Sequence, residues 1–259
     1  MLVRSWNLFH GNTVPPQRRA YLDEMIALAT GDDPDVLCAQ EVPAWALGLF
    51  TVGDVAARPP LGATVGRLLT APNHGVIRSA VSGQGNAVWI SPRLRVLEHH
   101  ALPLNPVRFR RREAKTLGLG RAERLAWARE RRIVQALRLS DGKTTFAVAN
   151  THCTSYQGDV RLGDAELLRA AWFADSVARP DEPLVLAGDF NLRAGSSRTL
   201  DALHGPEWHF SAPGPGIDHV LVRGAAAGEL RVWPDERRRR ADGTLLSDHA
   251  PVELEVELR

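Results

Sequence analysis

At six places in this 259-residue chain a short apolar run meets a carboxamide, a carboxylate or an imidazole. Asn7 follows "LVRSW", Gln40-Glu41 follows "DVLCA", and Asn150-Thr151-His152 follows "TTFAVA". Asp189-Phe190-Asn191 follows "PLVLAG", while Asp218-His219 precedes "VLV" and Asp248-His249 precedes "APVELEVEL". Ionisable groups beside buried residues must be hydrogen-bonded, charge-paired or metal-bound, because an uncompensated buried charge is too costly to keep. One such group alone reads as a strand cap or turn former. Six together predict strand ends that converge on a polar pocket. Carboxylates packed that closely raise one another's pKa, so a cation is the natural compensation, and oxygen donors without thiolate favour Mg2+ or Mn2+ over zinc.

The runs between these groups predict the rest of the framework. "LVRSWNL", "DVLCAQE", "GVIRSAV", "NAVWI", "LRVLEHHAL", "PLVLAGDFN", "GIDHVLV" and "APVELEVEL" read as strands, and "RRIVQALRL" with "TTFAVANTH" as a hairpin turning at Asp141-Gly142. "PPQRRAYLDEMIALAT" reads as a helix starting at its prolines. "DVRLGDAELLRAAWFADSVA" reads as an amphipathic helix with Leu162, Leu167, Leu168, Trp172 and Phe173 available for a core. Strands in runs with a few flanking helices predict an α+β layered sandwich. No Ser/Gly-rich linker divides the chain, so residues 1–259 read as a single domain. Only Cys38 and Cys153 are present, which excludes a disulfide scaffold and a clustered-Cys zinc site. "MLVRSWNLFHGN" lacks the apolar stretch of a signal peptide, and no run is long enough to span a bilayer, so a cytoplasmic location is expected. Nothing in the sequence marks an obligate protein partner.

Net charge is only +2, yet the arginines are unevenly spread. Residues 108–132, "RFRRREAKTLGLGRAERLAWARERR", are strongly basic, and Arg237 to Arg240 form a second block. Two readings stand side by side. In one the first segment is a solvated helical excursion whose arginines pair with Glu113, Glu123 and Glu130. In the other it is a phosphate-facing rim in which Arg110, Arg111 and Arg112 bind substrate.

Taken in order, "SWNL", "QE", "GNAVWI", "NTH", "GDFN", "IDHVLV" and "SDHAPV" resemble the endonuclease/exonuclease/phosphatase superfamily, the DNase I-like proteins. The resemblance runs from Asn7 to Pro251. It implies a four-layer α/β-sandwich, two packed and mainly antiparallel sheets flanked by helices, that cleaves phosphoester bonds with a divalent metal. Carried over position by position, it makes Glu41 a metal ligand with Asn7 and Asp248 beside the same ion. Asp189 and Asn191 would orient the attacking water and the phosphate. Asp218 would hold His249, and His249 would contact the scissile phosphate. His152 falls where deoxyribonuclease-type members carry a His that assists the leaving group. Asn86 would help order that His, and Asn150 falls on the substrate side of the same cluster. Phe9 stands where apurinic-site endonucleases have an acid, which argues against that branch and leaves the metal count open. His10 and Asn12 read equally as phosphate contacts or as turn and capping residues, and His219 is expected to point away from the chemistry.

The resulting expectation is a Mg2+- or Mn2+-dependent phosphodiesterase, with nucleic acid among its candidate substrates. A phosphomonoesterase acting on a small phosphorylated metabolite or lipid headgroup is the alternative, and a catalytically dead binding module the second alternative. The natural substrate, endo- or exo-cleavage and the oligomeric state are not readable from the chain.

Overall fold

The computed structural model describes residues 1–58 and 83–258. In chain order the strands are β1 (Leu2–Asn7), β2 (Thr13–Val14), β3 (Val36–Val42), β4 (Val52–Ala57), β5 (Gln84–Ile90), β6 (Arg95–Pro103), β7 (Ile133–Ser140) and β8 (Thr145–His152). They continue as β9 (Leu184–Asp189), β10 (Asp218–Arg223), β11 (Ala226–Ala227), β12 (Arg231–Val232), β13 (Leu245–Leu246) and β14 (Val252–Glu257). The helices are α1 (Leu22–Thr30), α2 (Val107–Thr116), α3 (Arg121–Arg129), α4 (Arg161–Val177), α5 (Arg198–His204) and α6 (Asp235–Arg238). The class is the expected α+β one, with sheets flanked by helices. The expected strand "GVIRSAV" lies outside the described residues. None of the described helices is long and apolar enough to cross a membrane.

These residues form two compact units. The first, Met1–Leu94 with Ala227–Glu257, carries a sheet ordered β11-β14-β1-β3-β5-β4 with β12 on β14. β1 and β3 run parallel with Asn7 opposite Gln40, while β14 lies antiparallel on the other side of β1. Trp6, Leu22, Met25 and Leu37 pack the α1 side of this sheet. Arg4 on β1 is fully buried, held by Glu253, Asp32 and the Ala29 carbonyl, while Trp233 Nε1 donates to Glu253 at 2.9 Å. Removing one partner of such a buried pair costs about 3–5 kcal/mol, which makes it the polar anchor of this unit.

The second unit, Arg95–Ala226 with Leu258, carries the sheet β10-β9-β8-β7-β6. β8 and β9 are parallel and bring His152 opposite Asp189; β10 is antiparallel and brings Asp218 opposite the same Asp189. α4 covers the sheet through Leu167, Ala170, Ala171 and Ala174, whose small side chains let the helix lie close to it.

Two local expectations are corrected. α1 begins at Leu22 rather than at the prolines. Thr13–Val14 pairs with β13, and Pro15 and Pro16 have no N–H to donate, so the first helical turn closes only at Tyr21, whose carbonyl accepts from Met25 N. On α4, Leu162 and Leu167 are fully buried and Phe173 partly so, but Leu168 and Trp172 are 41% and 56% exposed. The buried stripe passes through the alanines, one step round the helix, and Trp172 instead lies edge-on against Trp208 at 4.8 Å.

Candidate active site

In the first unit, the expected metal ligands sit where strands break their regular geometry. Glu41 has φ 51° at an irregularity between β3 and β5, where the register shifts between Ala39 and Val42. Left-handed backbone at a non-glycine costs about 1–3 kcal/mol and persists where surrounding structure demands it, which is a mark of functional sites. His10, also left-handed and buried, places Nε2 3.4 Å from Glu41 Oε2. Asn7 is buried at the end of β1, with Oδ1 accepting from Phe9 N at 3.0 Å.

Ser247 organises the third element. Its hydroxyl donates to the Asn7 carbonyl at 2.6 Å and accepts from His249 N at 3.1 Å, and its own N–H donates to the Asn12 carbonyl at 3.1 Å. Trp6 Nε1 donates to the His249 carbonyl at 2.9 Å, so the stretch bearing Asp248 and His249 is fastened to β1 by both sequence neighbours of Asp248. Burial raises the Asp248 pKa although one face stays open to solvent; the Glu41 charge adds to the rise and the His249 charge opposes it. Asn86 is buried on β5 opposite Asp54 on β4.

In the second unit, His152 and Asp189 end their strands side by side and buried, with His152 Nε2 3.5 Å from Asp189 Oδ2. Asp189 Oδ1 accepts from Asn191 N at 3.0 Å. Asn191 is left-handed, φ 54°, and its Nδ2 donates to the Cys153 carbonyl at 3.0 Å. Gly188 makes the close approach feasible: a Cβ there would lie 1.8 Å from the Thr151 carbonyl oxygen. Asp189 and Asp218 offer carboxylate oxygens within 4.8 Å of each other. Asn150 is buried on β8 and donates to Gln135 Oε1 at 3.2 Å. His219 does turn into the core: its ring lies tilted against Phe190, accepts from Gly214 N at Nδ1 and meets the Leu192 carbonyl at Nε2, and burial lowers its pKa.

Arg132, at the end of the basic run, reaches the candidate site without any sequence signal of its own. Its Nη1 lies 3.0 Å from His152 Nδ1, and its Nη2 pairs with Glu130 at 2.8 Å. A guanidinium cannot accept a hydrogen bond, so His152 Nδ1 is the acceptor and the ring is neutral with its proton on Nε2, on the Asp189 side. Along the same segment Arg112 pairs with Glu113 and lies over Phe109, whereas Arg110 and Arg111 share a cleft with Arg124 and Trp127. The Arg237 to Arg240 block is structural: Arg237 pairs with Asp32, Arg238 and Arg239 with Asp235, and Arg240 with Glu24 and Asp242.

A hard divalent cation fits the donors in the first unit. Asn7, Glu41 and Asp248 offer oxygen only, and the mutual charge of Glu41 and Asp248 is what a cation would relieve.

Helices flanking mainly antiparallel sheets, with acids, amides and imidazoles at the strand ends, define an α+β class of layered-sheet protein. The sequence profile of the Endonuclease/Exonuclease/phosphatase family matches residues 5–249, and the chain belongs to that family, whose members are hydrolases acting on phosphoester bonds and are generally divalent-metal dependent. A search of curated proteins by sequence finds no match. Among solved structures, the fold is similar to an endonuclease/exonuclease/phosphatase from Bacteroides vulgatus (15% identity, TM-score 0.66, covering 100% of this chain and 98% of that one). It is also similar to a functionally unknown conserved protein from Enterococcus faecalis V583 (17%, 0.65, 100% of each chain). The human Nocturnin catalytic domain with bound sulfate anion is a third (16%, 0.60, 99% of this chain and 93% of that one).

Proposed function

We propose that the chain hydrolyses phosphodiester bonds, with Mg2+ or Mn2+ held by Asn7, Glu41 and Asp248. When bound, the ion would neutralise charge growing on the phosphoryl oxygens. Asp189 takes the proton of the attacking water. Its Oδ1 is tied to the Asn191 amide, so the carboxylate cannot swing away from that task. On the family resemblance, His249 in the first unit and the Asn191 side chain in the second would each serve the phosphoryl group, and Asp218 would be a positioning acid. His152 serves the leaving oxygen through Nε2–H. With Nδ1 filled by Arg132, that service is hydrogen-bond stabilisation of the departing alkoxide rather than full proton transfer. A donor of this kind is worth roughly 3–4 kcal/mol in the transition state.

The observation that carries this reading is the Asp189 carboxylate, buried, with one oxygen fixed by Asn191 N and the other 3.5 Å from His152. A carboxylate clamped in that way beside an imidazole suits proton transfer from water better than a structural salt bridge. The test is hydrolysis of bis(p-nitrophenyl) phosphate against p-nitrophenyl phosphate, each with Mg2+ and with chelator. Faster, metal-dependent turnover of the diester is expected. Preference for the monoester would favour the phosphomonoesterase reading, and no hydrolysis of either would favour a binding module.

A further inference from the structure

We propose that the cleft between α2 and α3 binds a phosphate group through Arg110, Arg111 and Arg124, with the carbon framework of the ligand seated against Val107, Ala114 and the edge of Trp127. The proposal rests on the phosphodiesterase reading only for expecting phosphate as the anion; the cleft itself is built whether or not the chain hydrolyses anything. Those six residues line a cavity of about 290 Å3. That is near the lower end of small-molecule sites, which start at roughly 300 Å3, and leaves room for a phosphate and about one ring.

Three features distinguish this cleft from a solvated basic surface. First, the acids of the segment are taken by other arginines: Glu113 by Arg112 at 2.8 Å, Glu130 by Arg132 at 2.8 Å, and Glu123 by Arg161 at 3.9 Å. Among the described residues Arg110, Arg111 and Arg124 have no carboxylate partner, and no acid lines the cavity. Second, two of the three are aimed by their inner nitrogens. Arg110 Nε donates to the Asn105 carbonyl and Arg124 Nε to the Leu119 carbonyl, each at 2.8 Å, which leaves the paired outer nitrogens for a ligand. That fork matches the oxygens of a phosphate two at a time. Third, Arg110 is partly buried beside two like charges: burial first, then the Arg131 and Arg111 charges, push its pKa down, and the buried Glu166 charge opposes them only in part. An anion in the cleft relieves that crowding, whereas water does so poorly. The Arg237 to Arg240 block, equally basic in sequence, has a carboxylate for each arginine and forms no comparable site.

The cleft is also wired to the candidate catalytic groups of its own unit. Glu166, fully buried, accepts from Trp127 Nε1 at 2.6 Å, from Asn105 Nδ2 at 2.8 Å and from Thr154 N at 2.7 Å. The floor of the cleft, the residue that aims Arg110, and the loop two residues past His152 therefore share one carboxylate. Two sources share this chemistry, a backbone phosphate of a polynucleotide and the phosphate of a small molecule.

Binding is measured in chelator, so that hydrolysis plays no part, with phenylphosphonate and a short oligothymidylate as probes. Arg110→Ala, Arg111→Ala and Arg124→Ala should each weaken phenylphosphonate binding about 10-fold or more, as loss of one charge-assisted hydrogen bond predicts. Arg112→Ala should change it less than about 2-fold. If the source is a polynucleotide, oligothymidylate also binds the parent protein, and each of the three substitutions lowers its log–log salt slope by about 0.7. If oligothymidylate fails to bind while phenylphosphonate does, the proposal stands with a small phosphorylated ligand. Arg124→Gln, which keeps the bulk of the side chain, guards against a folding artefact and should behave as Arg124→Ala does. Failure of both probes to bind the parent protein, or an Arg112→Ala effect as large as that of Arg124→Ala, overturns it. A protein that binds phenylphosphonate in this way yet hydrolyses no ester would remove the catalytic reading and leave the cleft.

Discussion

Arg132 fills the one free acceptor of His152: Nη1 stands 3.0 Å from Nδ1, which leaves the imidazole proton on Nε2, 3.5 Å from Asp189 Oδ2. The ring's tautomer and its orientation are thus set by an arginine three residues past the end of α3. Arg132→Met should release that choice. Nitrogen NMR of the imidazole should show a single Nε2–H tautomer in the wild type and a mixture in the variant, and turnover of an alkyl phosphodiester should fall about 100-fold. A p-nitrophenyl diester, whose leaving group needs little help, should lose much less. An unchanged tautomer, or equal losses on both esters, would make Arg132 a purely structural cation.

Gly188→Ala should be among the most damaging single changes in the second unit. The added methyl group would sit 1.8 Å from the Thr151 carbonyl oxygen, in backbone that cannot yield without parting β8 from β9, and φ at this position is 145°. Thermal denaturation should show a loss of about 3 kcal/mol or more, or no folded protein. A variant with wild-type melting behaviour would mean that the two strands do not pair as described.

Ser247→Ala tests the fastening of Asp248 and His249. It removes a buried donor to the Asn7 carbonyl and the acceptor of His249 N, so stability should drop by about 1–3 kcal/mol. Because the hydroxyl link to β1 is lost and only the Trp6 contact to the His249 carbonyl remains, kcat on a diester should fall about 10-fold at least. A stable variant with unchanged kcat would show that the Trp6 contact alone holds this stretch.

A pH effect follows from Glu182. Hydrogen bonds from Arg138 Nε, at 2.9 Å to each carboxylate oxygen, hold its pKa at about 2 against an ordinary value of 4.5. A depressed carboxylate contributes stability above the unfolded pKa and loses it as pH falls towards the folded one. Glu182→Gln should therefore be less stable than wild type at pH 7, by about 2 kcal/mol after allowance for solvent screening. The gap should close between about pH 4.5 and pH 2. A gap that stays constant over that range would assign the loss to packing instead of charge.

The strand-end polar groups were legible because each interrupts an apolar run, and apolar runs are what period-two patterning reveals best. Asp189 and Asp218 each stood out at a strand end, but nothing in the sequence showed that their strands are neighbours. Ser247, His10 and Arg132 were not legible in the same way. Ser247 and His10 owe their roles to left-handed backbone, φ 64° and 54°, a conformation that a serine does not advertise and that a histidine signals only weakly. Arg132 is one of many arginines between residues 108 and 132, and charge density carries no register, so nothing in the run told the arginine at the imidazole from those paired with acids. The late start of α1 and the exposure of Trp172 have the same origin. Local propensity marks a helix, but strand pairing by Thr13–Val14 and the close seating of the α4 alanines decide where it begins and which face it buries.

Whether Glu41 belongs to a metal-dependent phosphoester-hydrolysing centre is decided by Mg2+ titration of Glu41→Gln, with diester hydrolysis and heat of metal binding followed on the same samples. The variant should keep the wild-type circular dichroism and melting profile, lose the Mg2+ binding heat, and hydrolyse the diester at least about 1000-fold more slowly. Near-normal turnover, or undiminished Mg2+ binding in a folded variant, would contradict it.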